Sequence, residues 1–132
     1  MTVIYQCGFS PEQLRVILQA LDIYSRIGQG QLWPIADLFI GNDQVDLTKL
    51  REILRSAGPL ITELAPNSYF GINSKEVDEI YKMAYDMQQV LRNAQSWNES
   101  PTGGWTANFD EPMQYAEHEL MKKPEVIEVE PI

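Results

Sequence analysis

Apolar residues recur at helical spacing over several stretches of the chain, and the longest of these, residues 74–97, is the one around which the others are arranged. Val77, Ile80, Ala84, Met87, Leu91 and Ala94 follow one another at steps of three and four, which puts them on one side of an α-helix. Beside them runs a second stripe, Tyr81, Tyr85, Gln88, Arg92 and Gln95, amphiphilic enough to line a pocket at the edge of the packed face. Ser74 stands where an N-cap belongs, and Glu76, Asp78 and Glu79 suit the positive end of the helix dipole.

The same spacing predicts further helices. Ser10-Pro11-Glu12-Gln13 is a helix start: serine at the N-cap, proline at the first helical position, and glutamine placed to complete a capping box. Leu14, Ile17, Leu18, Leu21 and Tyr24 form the apolar stripe that follows, and Arg15, Gln19, Asp22 and Arg26 a polar one, up to a C-cap near Gly28. Trp33-Pro34 opens a short helix through Ile40. Asp46 caps another, whose series Leu47, Leu50, Leu54, Ala57, Ile61 and Leu64 keeps phase across Gly58-Pro59, where a kink or short break is expected. The turn-rich residues 66–71 lead into the long helix and are expected to overhang its N-terminus.

Residues 2–7 and 126–129 read as short strands able to pair, residues 98–108 as an exposed loop and residues 111–121 as a weak helix. The fold class expected is therefore mainly α, a small helical bundle with helices near 11–27, 34–40, 47–64 and 75–97 and a short terminal β-strand pair. Residues 1–98 form the helical body, with 99–132 an acidic loop and C-terminal segment packing on it or extending from it.

Composition narrows the function classes. A chain of 132 residues, 44% of them hydrophobic, suffices for one domain. Ten basic against nineteen acidic side chains give a net charge of −9, which argues against an open nucleic-acid-binding surface. Eight of those acids lie in residues 99–132 against Lys122 and Lys123, so the helical body is nearly balanced and its cations remain able to attract a small anion. Cys7 is the single cysteine, which excludes an intramolecular disulfide and suggests a packed thiol in a reducing compartment. With no leader-like segment and no membrane-spanning run, the expectation is a soluble intracellular protein.

Catalytic signatures are missing from the pattern. His118 sits between Glu117 and Glu119, but helical metal ligands need steps of three or four, so a surface histidine is expected and no metal or cofactor is assigned. Nothing ties that histidine to a nucleophile, and enzyme is the less favoured class. Gly28-Gln29-Gly30-Gln31 lacks the third glycine of a dinucleotide fingerprint and the lysine of a phosphate loop, and serves equally as a plain helix connection. Taken together, however, Arg26, Gln29, Gln31, Tyr81, Tyr85, Gln88 and Arg92 describe a nucleotide pocket: arginine forks for phosphate, tyrosine rings for a base, glutamine amides for its edge. The ordinary alternative is that Asp22 neutralises Arg26 one turn away, Asp86 serves another basic group, and the tyrosines are core-edge residues.

Residues 21–31 (Leu-Asp-Ile-Tyr-Ser-Arg-Ile-Gly-Gln-Gly-Gln), Gly71-Ile72-Asn73-Ser74 and residues 84–92 (Ala-Tyr-Asp-Met-Gln-Gln-Val-Leu-Arg) resemble a family of small proteins encoded by tailed bacteriophages, over roughly residues 14–97. Pro34 departs from the acidic residues of that pattern. The resemblance implies a phage setting, in the cytoplasm of an infected bacterial host, where small non-enzymatic proteins often inhibit host defence. Two functions follow from that setting as expectations: first a sponge that sequesters a nucleotide-derived immune signal without cleaving it, and as its alternative an acidic DNA mimic that blocks a defence effector; a small nucleotide-processing enzyme stands apart as a second alternative. Trp33, Trp97 and Trp105 are many large aromatics for so short a chain, and a homo-oligomer, most simply a symmetric dimer, is expected.

Overall fold

The computed structural model describes residues 2–62 and 71–130, and the chain is mainly helical. Helix α1 spans Pro11–Ile27 and begins with the capping box expected of it. The Gln13 backbone N–H donates to the Ser10 hydroxyl at 3.1 Å, and the Ser10 N–H donates to the Gln13 side-chain oxygen at 2.9 Å. A 3-10 helix follows at Trp33–Phe39, then α2 at Leu47–Thr62 and α3 at Glu79–Glu99, with a second 3-10 turn at Ala107–Phe109. Asp46 caps α2, its carboxylate accepting the Lys49 N–H at 3.1 Å, and α2 runs unbroken through Pro59.

Three packing pairs hold these elements among the described residues, the third being the second 3-10 turn on α3. The first is α1 on α3, where the end of α1 lies over the start of α3: a Cβ on Gly28 would stand 2.1 Å from the Tyr81 ring, so only glycine admits that ring. Tyr24 meets Tyr81 from the same side, with ring centroids 5.2 Å apart. The second is the first 3-10 helix on α2, joined by Arg51 to Asp37 at 3.1 Å and by Arg55 over the Trp33 ring. The loop between α1 and the 3-10 helix touches α2 backbone to backbone, since a Cβ on Gly58 would lie 2.4 Å from the Gly30 carbonyl oxygen, and Gly30 itself turns at φ +73°.

The core comprises Leu18, Leu32, Ala36, Val77, Ala84, Val90, Leu91 and Ala116. Ile80, expected inside, is exposed, and Asp86, Gln88 and Asn93 are buried instead. Helix α3 also starts later than expected. Ser74 spends its hydroxyl on the Glu76 carboxylate and backbone N–H, a local turn that leaves nothing to cap a helix, and Asp78 becomes the N-cap position. The same hydroxyl holds the Glu76 carboxyl below its ordinary range.

The chain ends depart from expectation. No strand occurs among the described residues: Val3, Ile4 and Tyr5 are 75, 83 and 92% exposed, and Val126, Ile127 and Val129 are exposed as well. An isolated pair of such segments has no sheet to join and is marginal in water. Cys7 is exposed rather than packed. Residues 111–121 form no helix; the amides of Tyr115, Ala116 and His118 in their middle are taken by carboxylates of α3. Residues 66–70 of the expected overhanging loop, with Leu64, lie outside the described residues. No helix among the described residues is long and apolar enough to cross a membrane.

Candidate functional site

The seven residues singled out by sequence fall into two groups at the α1–α3 junction. Arg26, at the last turn of α1, donates from Nε to both oxygens of the Asp22 carboxylate at 3.1 Å and from Nη1 to the Gln31 side-chain oxygen at 3.0 Å. The Gln31 amide donates in turn to the Gln29 side-chain oxygen at 3.4 Å, and the Gln29 amide to the Ser25 carbonyl at 3.1 Å. The Gly-Gln repeat thus serves to hold the end of α1 and one edge of the Arg26 guanidinium. Asp22 neutralises Arg26 as the ordinary reading anticipated, and the pair is partly exposed, which limits its contribution to stability to well under about 1 kcal/mol.

Tyr81, Tyr85, Gln88 and Arg92 come from α3. Tyr85 is half-buried, and burial raises its hydroxyl pKa above the usual value of 10; the neighbouring Tyr115 and Asp86 add to the rise, while the Arg92 and Arg26 charges oppose it. The phenol therefore remains neutral, a hydrogen-bond donor, at physiological pH. Arg92 is half-buried and has no ion-pair or hydrogen-bond partner among the described residues. Gln88 is 1% exposed; its carbonyl oxygen accepts from the Gln89 amide at 3.2 Å while its own Nε2 has no partner. A buried amide without an acceptor is costly, and it marks the stripe between Tyr85 and Arg92 as one with unspent hydrogen-bonding capacity.

A concavity of about 290 Å³ lies beside Arg26, lined by Gln19, Asp22, Ile23, Trp33, Pro34, Asp37 and Leu38, with nothing from α3. Its two carboxylates make it a poor anion site, so the anion-binding capacity of this junction rests on the α3 side, on Arg92 above all.

Sequence reasoning missed what covers α3. Residues 107–120 return along the helix antiparallel to it, held by one stripe of side chains. The Trp97 indole N–H donates to the Phe109 carbonyl at 3.0 Å, and the Asn93 amide to the carbonyls of Asn108 at 3.0 Å and Asp110 at 2.8 Å. The Asp86 carboxylate accepts the Tyr115 and Ala116 backbone N–H groups at 2.9–3.1 Å, and Glu79 accepts that of His118 at 2.9 Å. Glu79, Asp86 and Asn93 stand seven apart, two helical turns, so the signal was present as a polar heptad on an otherwise amphipathic helix. Asp86 serves backbone amides and no basic group, against the ordinary reading of it. The strap sets the Tyr115 ring edge-on to Tyr85, with centroids 5.5 Å apart.

His118 is exposed, and no group of three or more metal-ligating side chains occurs among the described residues. Comparison of the chain with family models, with curated proteins and with solved structures returns no match.

Proposed function

We propose that the protein binds a nucleotide-derived immune signalling molecule and sequesters it without cleaving it, as a phage-encoded anti-defence protein acting in the cytoplasm of the infected host. The observation that carries the reading is Arg92, half-buried on the stripe of α3 that also bears Tyr85 and without an ion pair among the described residues. A guanidinium without a carboxylate partner suits a phosphate or pyrophosphate, and the tyrosines of the same helix suit a base. The phage setting rests on the sequence resemblance.

Sequestration is favoured over catalysis by the residue types themselves. Arginine does not deprotonate, glutamine does not titrate, and the Tyr85 hydroxyl is pushed above its ordinary pKa, so none of these can take a proton at neutral pH. The test is mass spectrometry of small molecules released on denaturation from protein incubated with extracts of phage-infected, defence-active cells. An intact nucleotide derivative is the expected result. A chemically altered product would instead identify an enzyme, and a salt-sensitive protein partner with no small molecule would favour the acidic DNA mimic.

The homo-oligomer belongs to the same proposal and is supported by surface area. A compact monomer of 15.1 kDa exposes roughly 7,100 Å², whereas this chain exposes 10325 Å². The difference, roughly 3,000 Å², is several times what one partner contributes to a standard interface of about 800 Å² per side. The exposed apolar side chains include Val3, Ile4 and Tyr5, Ile53, Leu60 and Ile61 of α2, Trp105, and Val126, Ile127 and Val129. Light scattering at micromolar concentration is expected to give at least twice the chain mass; a monomer at that concentration contradicts the oligomer.

A further inference from the structure

Apart from two ring contacts with α3, Phe109 edge-on to Trp97 and Tyr115 edge-on to Tyr85, the strap of residues 107–120 has few apolar contacts of its own. Ala116 is its single buried hydrophobic residue among the core positions, and Met113, Glu117, His118 and Glu119 are exposed. It is held by hydrogen bonding of matched polarity: acceptors Glu79 and Asp86 on the first half of α3 take amides, and donors Asn93 and Trp97 on the second half give to carbonyls. Asp86 is the centre of this arrangement. It is a carboxylate 3% exposed, paired with two successive backbone N–H groups instead of a cation. Successive amides bound to one carboxylate fix the chain direction at that point, and with it the Tyr115 side chain, which lands against Tyr85 on the stripe that leads to Gln88 and Arg92.

We propose that the strap is part of the binding site, with Tyr115 as a second aromatic wall that, beside Tyr85, selects a ligand bearing a base over a bare phosphate, and Asp86 as the residue that positions it. This rests on the nucleotide reading given above and adds to it the source of base recognition. Two neighbouring tyrosines at 78° give a ring face and a ring edge, a corner into which a purine or pyrimidine stacks on one ring while its edge meets the other. The arginines see only the phosphates. The two contributions are therefore separable by ligand.

Isothermal titration with adenosine diphosphate and with inorganic pyrophosphate separates them. Tyr115→Ala is expected to weaken adenosine diphosphate about tenfold and to leave pyrophosphate unchanged, and Tyr115→Phe to restore the nucleotide affinity, since stacking needs the ring and not the hydroxyl. Asp86→Asn is expected to speed hydrogen exchange at the Tyr115 and Ala116 amides, to weaken adenosine diphosphate alone, and to add nothing further in a Tyr115→Ala background. Unchanged nucleotide affinity in Tyr115→Ala, or an equal loss for pyrophosphate, overturns the proposal. If the unaltered protein binds pyrophosphate but gains nothing from the base, the aromatic wall is wrong while the anion site stands; if it binds neither, both fall together.

Discussion

Replacing Asp86 with alanine is expected to cost about 3 kcal/mol of folding stability, enough to lower the melting temperature by on the order of 10 °C in a chain of this size. Charge-assisted hydrogen bonds contribute about 1.5–3 kcal/mol each, and this carboxylate makes them to the backbone N–H groups of both Tyr115 and Ala116. Alanine leaves the Ala116 amide, in a buried residue, with no acceptor, and frees residues 107–120 from the middle of α3. Asp86→Asn should fall between, because it keeps an acceptor oxygen and loses the charge. Thermal and urea unfolding followed by circular dichroism measure both. A loss below about 1 kcal/mol for the alanine variant would mean that the strap is held elsewhere and that its register on α3 does not depend on this residue.

Arg92→Ala is expected to weaken anion binding about ten- to a hundredfold while leaving stability within about 0.5 kcal/mol of the parent. The contrast follows from the absence of any ion-pair partner for Arg92 among the described residues: removing the guanidinium breaks no ion pair or hydrogen bond among them and removes an unpaired positive charge. Arg26→Ala should show a smaller binding loss, since Asp22 already neutralises its charge and Gln31 takes an Nη1–H. Joint neutralisation of Glu125, Glu128 and Glu130, all exposed, should leave sequestration unaffected. In one defence-inhibition assay the outcome is decisive. Failure of the tail variant with normal activity of Arg92→Ala would replace the nucleotide reading with the acidic mimic, whose binding depends on that surface charge.

Local chemistry, written wholly in short stretches of sequence, determined the helices. The Ser10 and Gln13 capping box, the Asp46 cap and the three-and-four spacing of apolar residues each act within one or two turns, so α1 and α2 begin where the sequence places them. The association of Arg26, Gln29 and Gln31 was legible for the same reason, as they are within five residues of one another. Tertiary structure decided what long separations control. Ile80 is exposed and Gln88 buried, the reverse of the amphipathic pattern, because burial on α3 depends on which faces other elements cover, and Gln88 shares the face of Tyr81 that meets the end of α1. Residues 111–121 hold a weak helical pattern, yet their amides find carboxylates 29 to 39 residues away, which satisfy them better than an isolated short helix in water can. The contact of Tyr24 with Tyr81 and the arrival of Tyr115 beside Tyr85 are consequences of that packing: glycine at position 28 lets α1 and α3 close on Tyr81, and Asp86 brings the strap back across the helix.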